Sequence, residues 1–248
     1  MPGWIDAAIA RHTASLTRSE LLKAIRALSA RYVERRAELP RRSALDSAGK
    51  RAAFAAFYAP LHLLTARQVV RALGADRHPP ASLLDLGCGT GAASAAWALA
   101  GGTATRITGV DRDTWALDEA RWTWRTLGLR GRTRRGDVVA ALPRAARGAD
   151  AVVIGWSLNE LARDERARVL DALLDAAGAG TALLVVEPIA RAASPWWDDW
   201  ASAFAAAGGR ADEWSFEANL PPALARLDVE AGFDRAQLKA RSLFRPRR

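Results

Sequence analysis

The chain has 248 residues, of which half are hydrophobic, and it carries a formal net charge of +9. This length and composition are those of a globular protein with one large domain, or with a domain and a smaller cap. Cys88 is the only cysteine, which excludes an internal disulfide bond and a cysteine-held metal cluster and suits a reducing compartment. The three histidines have no metal-ligand spacing, no apolar run reaches about 18 residues, and the N-terminus has no secretory pattern. We therefore expect a soluble cytoplasmic protein with no bound metal and no membrane contact.

The positive charge is concentrated in the N-terminal third. Residues 1–80 contain 14 Lys and Arg against 6 Asp and Glu, a net charge of +8, whereas residues 81–248 contain 22 against 21, a net charge of +1. Two interpretations stay open: a solvated helix face, or a surface for a partner that carries phosphates, such as RNA. The arginines that best fit the second interpretation are Arg31, Arg35, Arg36, Arg41 and Arg42.

The N-terminal part predicts helices. Thr17-x-x-Glu20 has the pattern of a capping box, and it precedes apolar residues at helical spacing. A second helix is predicted from about Asp46, and Pro60 is expected to start a third helix that ends near Gly74. Residues 1–78 are therefore predicted to form a helical cap, and residues 79–248 a second domain. The apolar residues of the first helix are Leu21, Leu22, Ile25, Leu28 and Tyr32.

From residue 82 onward, predicted strands and helices alternate. This order is typical of an α/β domain in which a parallel sheet has helices on both faces. The predicted strands are 82–86, 106–110, 133–135, 151–155, 181–186, a strand around 212–216, and 237–244. The predicted helices are 91–99, 114–127, 164–177, 194–207 and one that starts near Leu220.

The first predicted strand runs into a glycine-rich turn that contains Gly87, Gly89 and Gly91. Glycine allows a ligand to approach the backbone closely and allows backbone angles that other residues resist. A relaxed dinucleotide-binding pattern is also satisfied. However, Asp85 lies two residues before Gly87, where a carboxylate would repel a pyrophosphate and attract an ammonium group. S-adenosylmethionine, a nucleoside with an amino-acid ammonium group and no phosphate, is the ligand that fits.

Acidic residues also follow the second and third strands. Asp111 lies about twenty residues beyond the glycine turn, a position from which a carboxylate accepts hydrogen bonds from both ribose hydroxyls. Asp113 is expected to cap the next helix rather than to bind a ligand. Trp115, on the first turn of that helix, could lie against an adenine or simply pack. Asp137 follows the third strand.

The segment Asp85-Leu86-Gly87-Cys88-Gly89-Thr90-Gly91 resembles the first motif of class I S-adenosylmethionine-dependent methyltransferases. The resemblance extends from about Pro80 to the C-terminus and implies a Rossmann-like sheet and methyl transfer. It also implies that Asp137 accepts a hydrogen bond from the adenine amino group. The cofactor-binding residues predicted in this way are Asp85, Gly87, Cys88, Gly89, Gly91, Asp111, Arg112, Asp137, Val138, Trp156 and Ser157.

The loop after the fourth strand, 156–161, is expected to face the transferred methyl group, because ligands of such sheets lie at the carboxyl ends of the strands. Methyl transfer depends mainly on alignment, so a catalytic base is optional. Glu160 is the candidate base and Asn159 a hydrogen-bonding orienter, with His62 and Tyr58 as candidates from the cap. Each has a structural alternative: Glu160 could cap the next helix, and His62 could be an ordinary helix histidine.

Three further segments, 50–60, 157–161 and 213–216, make the chain similar to the ribosomal small-subunit methyltransferase-like proteins of bacteria and mitochondria. That family holds an iron–sulfur cluster through cysteines around the last segment, where this chain has Ser215 and no cysteine. The resemblance implies an rRNA or other ribosome-associated target. A small-molecule acceptor enclosed by tryptophans is the alternative, and a non-catalytic assembly factor is a third possibility. The tryptophans in question are Trp196, Trp197 and Trp200.

Overall fold

The computed structural model describes residues 1–14, 16–34, 45–146, 148–190 and 194–247. They group into two compact units, which we call the helical unit (residues 1–62 and 215–238) and the sheet unit (residues 63–214 and 239–248). The sequence predicts a division after residue 78, whereas the helical unit also includes a C-terminal segment. Among these residues, no helix is both long enough and apolar enough to cross a bilayer.

The N-terminal helices are α1 (Pro2–Thr13) and α2 (Arg18–Glu34). The predicted capping box opens α2: Thr17 N–H donates to Glu20 Oε2 over 2.8 Å, and Glu20 N–H donates to Thr17 Oγ1 over 3.3 Å. Helix α1 was not predicted from the sequence. Four of the five clustered arginines, Arg35, Arg36, Arg41 and Arg42, lie outside the described residues, and only the backbone of Arg31 is described.

A continuous helical segment replaces the two helices expected between residues 46 and 74. It consists of α3 (Ala48–Ala53), a π-helical turn (Phe54–Tyr58) and α4 (Ala59–Ala72). Pro60 therefore lies inside a helix instead of starting one. The π-helical turn shifts the hydrogen bonds here, so that Ala59 N–H donates to Phe54 O, and this irregular pattern accommodates a residue that lacks an N–H.

The α/β part follows the predicted alternation, and the bounds of β1 and β4 are those predicted. The strands are β1 (Ser82–Leu86), β2 (Arg106–Asp111), β3 (Arg130–Arg135), β4 (Ala151–Gly155), β5 (Ala182–Glu187), β6 (Arg210–Glu217) and β7 (Gln237–Arg245). The helices are α5 (Ala92–Gly101), α6 (Thr114–Thr126), α7 (Val138–Ala145), α8 (Arg163–Gly178), α9 (Trp197–Ala206) and α10 (Pro222–Glu230), with a 3₁₀ turn at Leu158–Glu160.

Within the described residues, seven strands form one sheet in the order β3-β2-β1-β4-β5-β7-β6. Strands β1 to β5 pair in parallel, but β7 is antiparallel to β5, with Glu187 opposite Arg241. The sheet is therefore mixed, which corrects the expectation of a parallel sheet. The reversal of strand order between β1 and β4 places a crevice at the carboxyl ends of β1 and β4, where ligands of such sheets bind.

The core of the sheet unit lies between the sheet and helices α7, α8 and α9. Apolar side chains from β1, β4 and β5 meet those of the three helices in one buried cluster. Trp196, Trp197 and Trp200 belong to this cluster and are at most 9% exposed. The ring centroids of Trp196 and Trp200 lie 5.0 Å apart. These tryptophans therefore fill the core, which removes the argument that they enclose an apolar substrate.

Candidate active site

The glycine turn between β1 and α5 is held against β2. The N–H groups of Gly87 and Cys88 both donate to Val110 O, over 2.9 and 3.0 Å, and Gly91 N–H donates to Cys88 O over 2.7 Å. Gly89 lies at the top of the turn with a φ of +49°, and no atom lies within 4 Å of where its Cβ would be. The turn thus presents bare backbone to open space, as a ligand-binding loop requires. Cys88 is buried, and burial raises the pKa of its thiol well above the ordinary value.

Trp124 on α6 supports the turn from below and was missed by the sequence analysis. Its indole Nε1 donates to Gly91 O over 3.1 Å, and the ring covers β2 and β3. A Cβ on Gly91 or Gly109 would lie 2.6 Å from this ring, and one on Gly131 would overlap it. Isolated glycines inside strands signal such a close approach, so Gly109 and Gly131 were the available clue.

Asp85 lies on β1 directly before the turn and is 1% exposed. Its Oδ2 accepts a hydrogen bond from Ser94 N–H over 3.3 Å, whereas its Oδ1 is buried with no partner among the described residues. Burial raises the pKa of Asp85 to about 7, and the hydrogen bonds from Ser94 only partly oppose this. An unpaired buried carboxylate oxygen is costly, so this atom is suited to a cationic ligand group.

Asp111, at the end of β2, is fixed by the backbone. Its Oδ2 accepts from Gly89 N–H and its Oδ1 from Asp113 N–H, both over 2.9 Å. Burial raises the pKa of Asp111, while these hydrogen bonds oppose the rise. Each carboxylate oxygen keeps a further lone pair, so the carboxylate can still accept a pair of hydroxyls. Asp113 caps α6 as expected, accepting from Trp115 N–H over 2.8 Å.

Asp137 has a different environment from the other two acids. Its Oδ1 accepts from Ala140 N–H over 3.1 Å and caps α7, and its Oδ2 pairs with Arg112. Burial disfavours the charged carboxylate, but the hydrogen bonds from Ala140 and Arg112 outweigh it, so the pKa of Asp137 is lowered. Arg112 also lies 3.8 Å from Glu165. Its guanidinium therefore covers the acid that the resemblance assigns to the adenine.

The loop after β4 begins with a strained residue. Trp156 has a φ of +57°, which bulky side chains rarely adopt, and its N–H donates to Val186 O over 2.9 Å. Ser157 lies directly against the glycine turn: its Oγ donates to Leu86 O over 3.4 Å, and a Cβ on Gly87 would lie 2.7 Å from that Oγ. Such strain tends to occur at functional sites. Val138, on the first turn of α7, also borders Gly87: its Cγ2 lies 3.8 Å from the same Cβ position.

A buried hydrogen-bond network fixes the rest of this loop. Glu187, at the end of β5, is fully buried and accepts from Leu158 N–H over 3.1 Å and from Asn159 Nδ2 over 3.0 Å. Asn159 Oδ1 accepts from Trp196 Nε1 over 3.1 Å and from Ser194 Oγ over 3.3 Å. The carboxamide of Asn159 is thus engaged at both ends. This geometry suits a residue that positions the loop, and contact with an acceptor stays a prediction.

Glu160 is exposed at the end of the 3₁₀ turn. The alternative role considered for it, capping the next helix, is filled by Glu165, whose Oε2 accepts from Ala162 N–H over 2.8 Å. Glu160 therefore stays the candidate base in this loop.

Tyr58 and His62 belong to the helical unit. Tyr58 is buried, its hydroxyl donates to Ile25 O over 3.0 Å, and burial raises its pKa to about 12. His62 is half-buried, and its ring lies edge-on to Phe54 with centroids 5.8 Å apart. Desolvation lowers the pKa of His62 to about 3. Both side chains are therefore neutral at physiological pH, and their proposed catalytic roles stay predictions.

Comparison with known proteins assigns the segment that contains this crevice to a known kind of domain. Residues 83–180, from β1 to the end of α8, match the family model of the methyltransferase domain. The chain therefore contains an S-adenosylmethionine-dependent methyltransferase domain. None of the curated proteins compared with this methyltransferase matches its sequence.

Solved structures confirm the fold of the methyltransferase. The mitomycin 7-O-methyltransferase is 18% identical, with a TM-score of 0.53, over 100% of this chain and 73% of that chain. An O-methyltransferase family protein from Burkholderia thailandensis is also 18% identical, with a TM-score of 0.56, over 97% of this chain and 71% of that chain. At these identities the likeness extends to the fold alone.

The residues of the methyltransferase fit its cofactor in two respects. Gly89 leaves open space beside the turn, and Asp85 Oδ1 is a buried acceptor without a partner among the described residues. When bound, S-adenosylmethionine supplies an electrophilic methyl group on a sulfonium. Asp85 would hold its ammonium group and Asp111 its ribose hydroxyls.

Proposed function

We propose that this methyltransferase transfers the methyl group to RNA or to a ribosome-associated target. The observation that carries the choice of target is the charge: 14 Lys and Arg against 6 Asp and Glu in residues 1–80, and +9 for the chain. A phosphate backbone is the partner that such a balance suits best, because the electrostatic contribution dominates nucleic-acid affinity. The resemblance of segments 50–60, 157–161 and 213–216 to ribosomal small-subunit methyltransferase-like proteins supports the same target.

The acceptor would be presented at the exit of β4. Trp156 is hydrogen-bonded to β5, Ser157 to the end of β1, and Asn159 to Glu187. These contacts leave Glu160 as the exposed carboxylate nearest the strand end. Alignment of the accepting atom with the methyl carbon would supply most of the rate, and Glu160 would remove a proton where the acceptor carries one.

A small-molecule acceptor is the second candidate. It is favoured by the shared fold with the mitomycin 7-O-methyltransferase, which extends over 100% of this chain. The burial of Trp196, Trp197 and Trp200 in the core weakens it, because these rings offer no apolar wall to a substrate.

A transfer assay separates the candidates. The protein is incubated with S-adenosylmethionine labelled in the methyl group and with small ribosomal subunits, rRNA, or a small-molecule extract of cells. We expect label in the RNA fraction or in the subunits. Label confined to the small-molecule fraction would assign the second candidate. Retention of the cofactor without any turnover would indicate a non-catalytic assembly factor.

The role of Glu160 is tested with Glu160→Gln. We expect turnover to fall while cofactor affinity stays nearly unchanged, because the side chain would act on the acceptor and not on the cofactor. Calorimetry with S-adenosylhomocysteine measures the affinity, and the transfer assay measures turnover. Asp164→Asn, at an exposed acid on the first turn of α8, is the matched control and should change neither. An equal loss of turnover and affinity would make Glu160 a structural residue.

A further inference from the structure

Strand β3 has an unusual sequence for a strand, with four arginines in six residues: Arg130, Arg132, Arg134 and Arg135. It forms one edge of the sheet, next to β2. Successive side chains of a strand point to opposite faces, so Arg130, Arg132 and Arg134 share one face. The other face is covered by Trp124, whose ring lies over Gly131.

The pairing of β3 with β2 adds a fourth arginine to the three on this face. Arg106 on β2 is opposite Arg130, and Thr108 is opposite Arg132, whose Nε donates to Thr108 Oγ1 over 3.1 Å. We call Arg106, Arg130, Arg132 and Arg134 the arginine row. All four are exposed. No carboxylate oxygen of a described residue lies within 4.0 Å of their guanidinium nitrogens, so none of them forms an ion pair there. The row is thus a set of aligned cations without acidic partners in the described part of the chain.

The spacing of the row suits a polymer with regularly repeated negative charge. Alternate residues of a strand lie about 6.6 Å apart, since each residue rises about 3.3 Å. Guanidinium groups bind phosphate oxygens through two parallel hydrogen bonds, and each nucleotide carries one negative charge. At its carboxyl end the row leads to Gly136 and Asp137, and so toward the edge of the sheet where the cofactor acids lie.

The surroundings of the row favour RNA over a membrane. Insertion into a lipid surface draws on apolar side chains beside the basic ones, in addition to attraction to anionic headgroups. Among the described residues, however, Val229 is the only large hydrophobic side chain that is exposed, and it belongs to α10 of the helical unit. The row also contains no aromatic ring on which a base could stack, so contacts to the phosphate backbone would dominate.

We propose that the arginine row binds the phosphate backbone of RNA and guides the strand toward the active site. The inference deepens the proposed function and rests on it for the class of partner. It assigns a binding surface outside the cofactor crevice, and it predicts binding that depends strongly on salt and little on base sequence.

The test is a binding titration of the full chain with fluorescently labelled single-stranded RNA across a range of salt concentrations. The triple variant Arg130→Ala/Arg132→Ala/Arg134→Ala is compared with wild type. If each arginine contacts one phosphate, the slope of log affinity against log salt should become less negative by about 2, at about 0.7 per phosphate for single strands. A second triple variant, with lysine at the same positions, should keep most of the slope but bind more weakly, because lysine lacks the bidentate geometry.

The matched control is Arg163→Ala/Arg168→Ala/Arg210→Ala, which removes the same charge from exposed arginines elsewhere in the sheet unit. The inference predicts a much smaller change for this control. Equal losses in the two alanine variants would overturn it, as would wild-type binding that favours polyglutamate or anionic vesicles over RNA. Affinity for S-adenosylhomocysteine confirms folding of each variant. RNA binding is measured here without methyl transfer. A failure of the arginine row to affect RNA affinity can therefore be distinguished from a failure of the protein to methylate RNA.

Discussion

Asp228 in the helical unit and Asp85 in the sheet unit are almost equally buried, at 2% and 1% exposure, but their surroundings differ. Asp228 pairs with the Arg235 guanidinium through Oδ1 and accepts from Arg235 N–H through Oδ2, over 2.7 Å. Asp85 accepts hydrogen bonds from Ser94, but its Oδ1 has no partner among the described residues. A buried acid with protein partners for both oxygens stabilises a fold, whereas one with an open oxygen is available to a ligand.

The Arg235 side chain has further contacts within the helical unit besides its ion pair with Asp228. Its guanidinium carbon lies 4.1 Å from the ring centroid of Phe233 and 5.2 Å from that of Phe57. Cation–π contact and the ion pair with Asp228 hold the same group. The comparison therefore predicts that substitution of Asp228 affects stability, and that substitution of the crevice acids affects ligand binding.

The largest effect is expected for Asp228→Ala. It leaves the partly buried Arg235 guanidinium without its counter-ion, a change that costs about 3 kcal/mol of unfolding free energy, the lower end of the range for buried pairs, because the guanidinium keeps some contact with water. Chemical denaturation measures the loss. Glu230→Ala is the control: Glu230 lies on the same helix as Asp228, its pair with Arg18 of α2 is exposed, and its loss should change the stability far less. Similar losses in the two variants would show that burial does not distinguish these pairs.

Asp111→Ala should have the next largest effect, but on binding. Removing a charged acceptor from the predicted ribose site should weaken S-adenosylhomocysteine by about 1.5–3 kcal/mol. Calorimetry measures this affinity. Asp118→Ala, at an exposed acid of α6 that pairs with Arg121, is the control and should leave it unchanged. An unaltered affinity in Asp111→Ala would remove the ribose assignment.

Asn159→Ala should have a smaller effect, which falls on the stability of the sheet unit. It deprives Glu187 Oε2 and Trp196 Nε1 of a partner, at a cost of about 1–2 kcal/mol. Ser194→Ala, which removes only the 3.3 Å contact to the same carboxamide, should cost less. Denaturation curves of both variants test the network. If the Asn159→Ala protein were instead fully stable but had lost turnover, the result would support contact between Asn159 and the methyl acceptor.

The sequence predicted the parts of the fold that depend on local pattern. Strand β4 is a continuous apolar run, and β1 is an apolar run that contains one acid, Asp85. Asp113 caps α6 because capping needs only neighbouring residues. Strand β3 was predicted three residues too short, because alternating arginines on an exposed sheet edge carry no apolar signal. Helix α7 (Val138–Ala145) was not predicted from the sequence.

The cofactor acids could be located from sequence because they follow the ends of predicted strands. The hydrogen-bond and ion-pair partners of the site residues could not be located in this way. Glu187 meets Asn159 across 28 positions of the chain, and Arg112 meets Asp137 across 25. Such contacts depend on which strand ends are neighbours in the sheet. The mixed order β4-β5-β7 was not predicted, so the network around Glu187 could not be either.

The smallest expected effect is a pH dependence of cofactor binding that belongs to Asp85. Its pKa is raised to about 7 by burial, so at pH 6 the free protein mostly holds this carboxyl protonated. A ligand ammonium group favours the ionised form, so binding at pH 6 requires release of the proton. Affinity for S-adenosylmethionine should therefore rise with pH, by up to about tenfold per unit below the pKa, and level off above it.

Calorimetry between pH 5.5 and 7.5 measures this rise, and two variants assign it. Asp85→Asn cannot titrate, so its weaker affinity should be nearly independent of pH in this range. Asp111→Asn should bind weakly but keep the rise, because Asp85 is intact. His62, with a pKa lowered to about 3, is already neutral at pH 5.5 and does not contribute. A rise that persists in Asp85→Asn would show that another group senses the pH, and the open oxygen of Asp85 would then not be the site of the ammonium group.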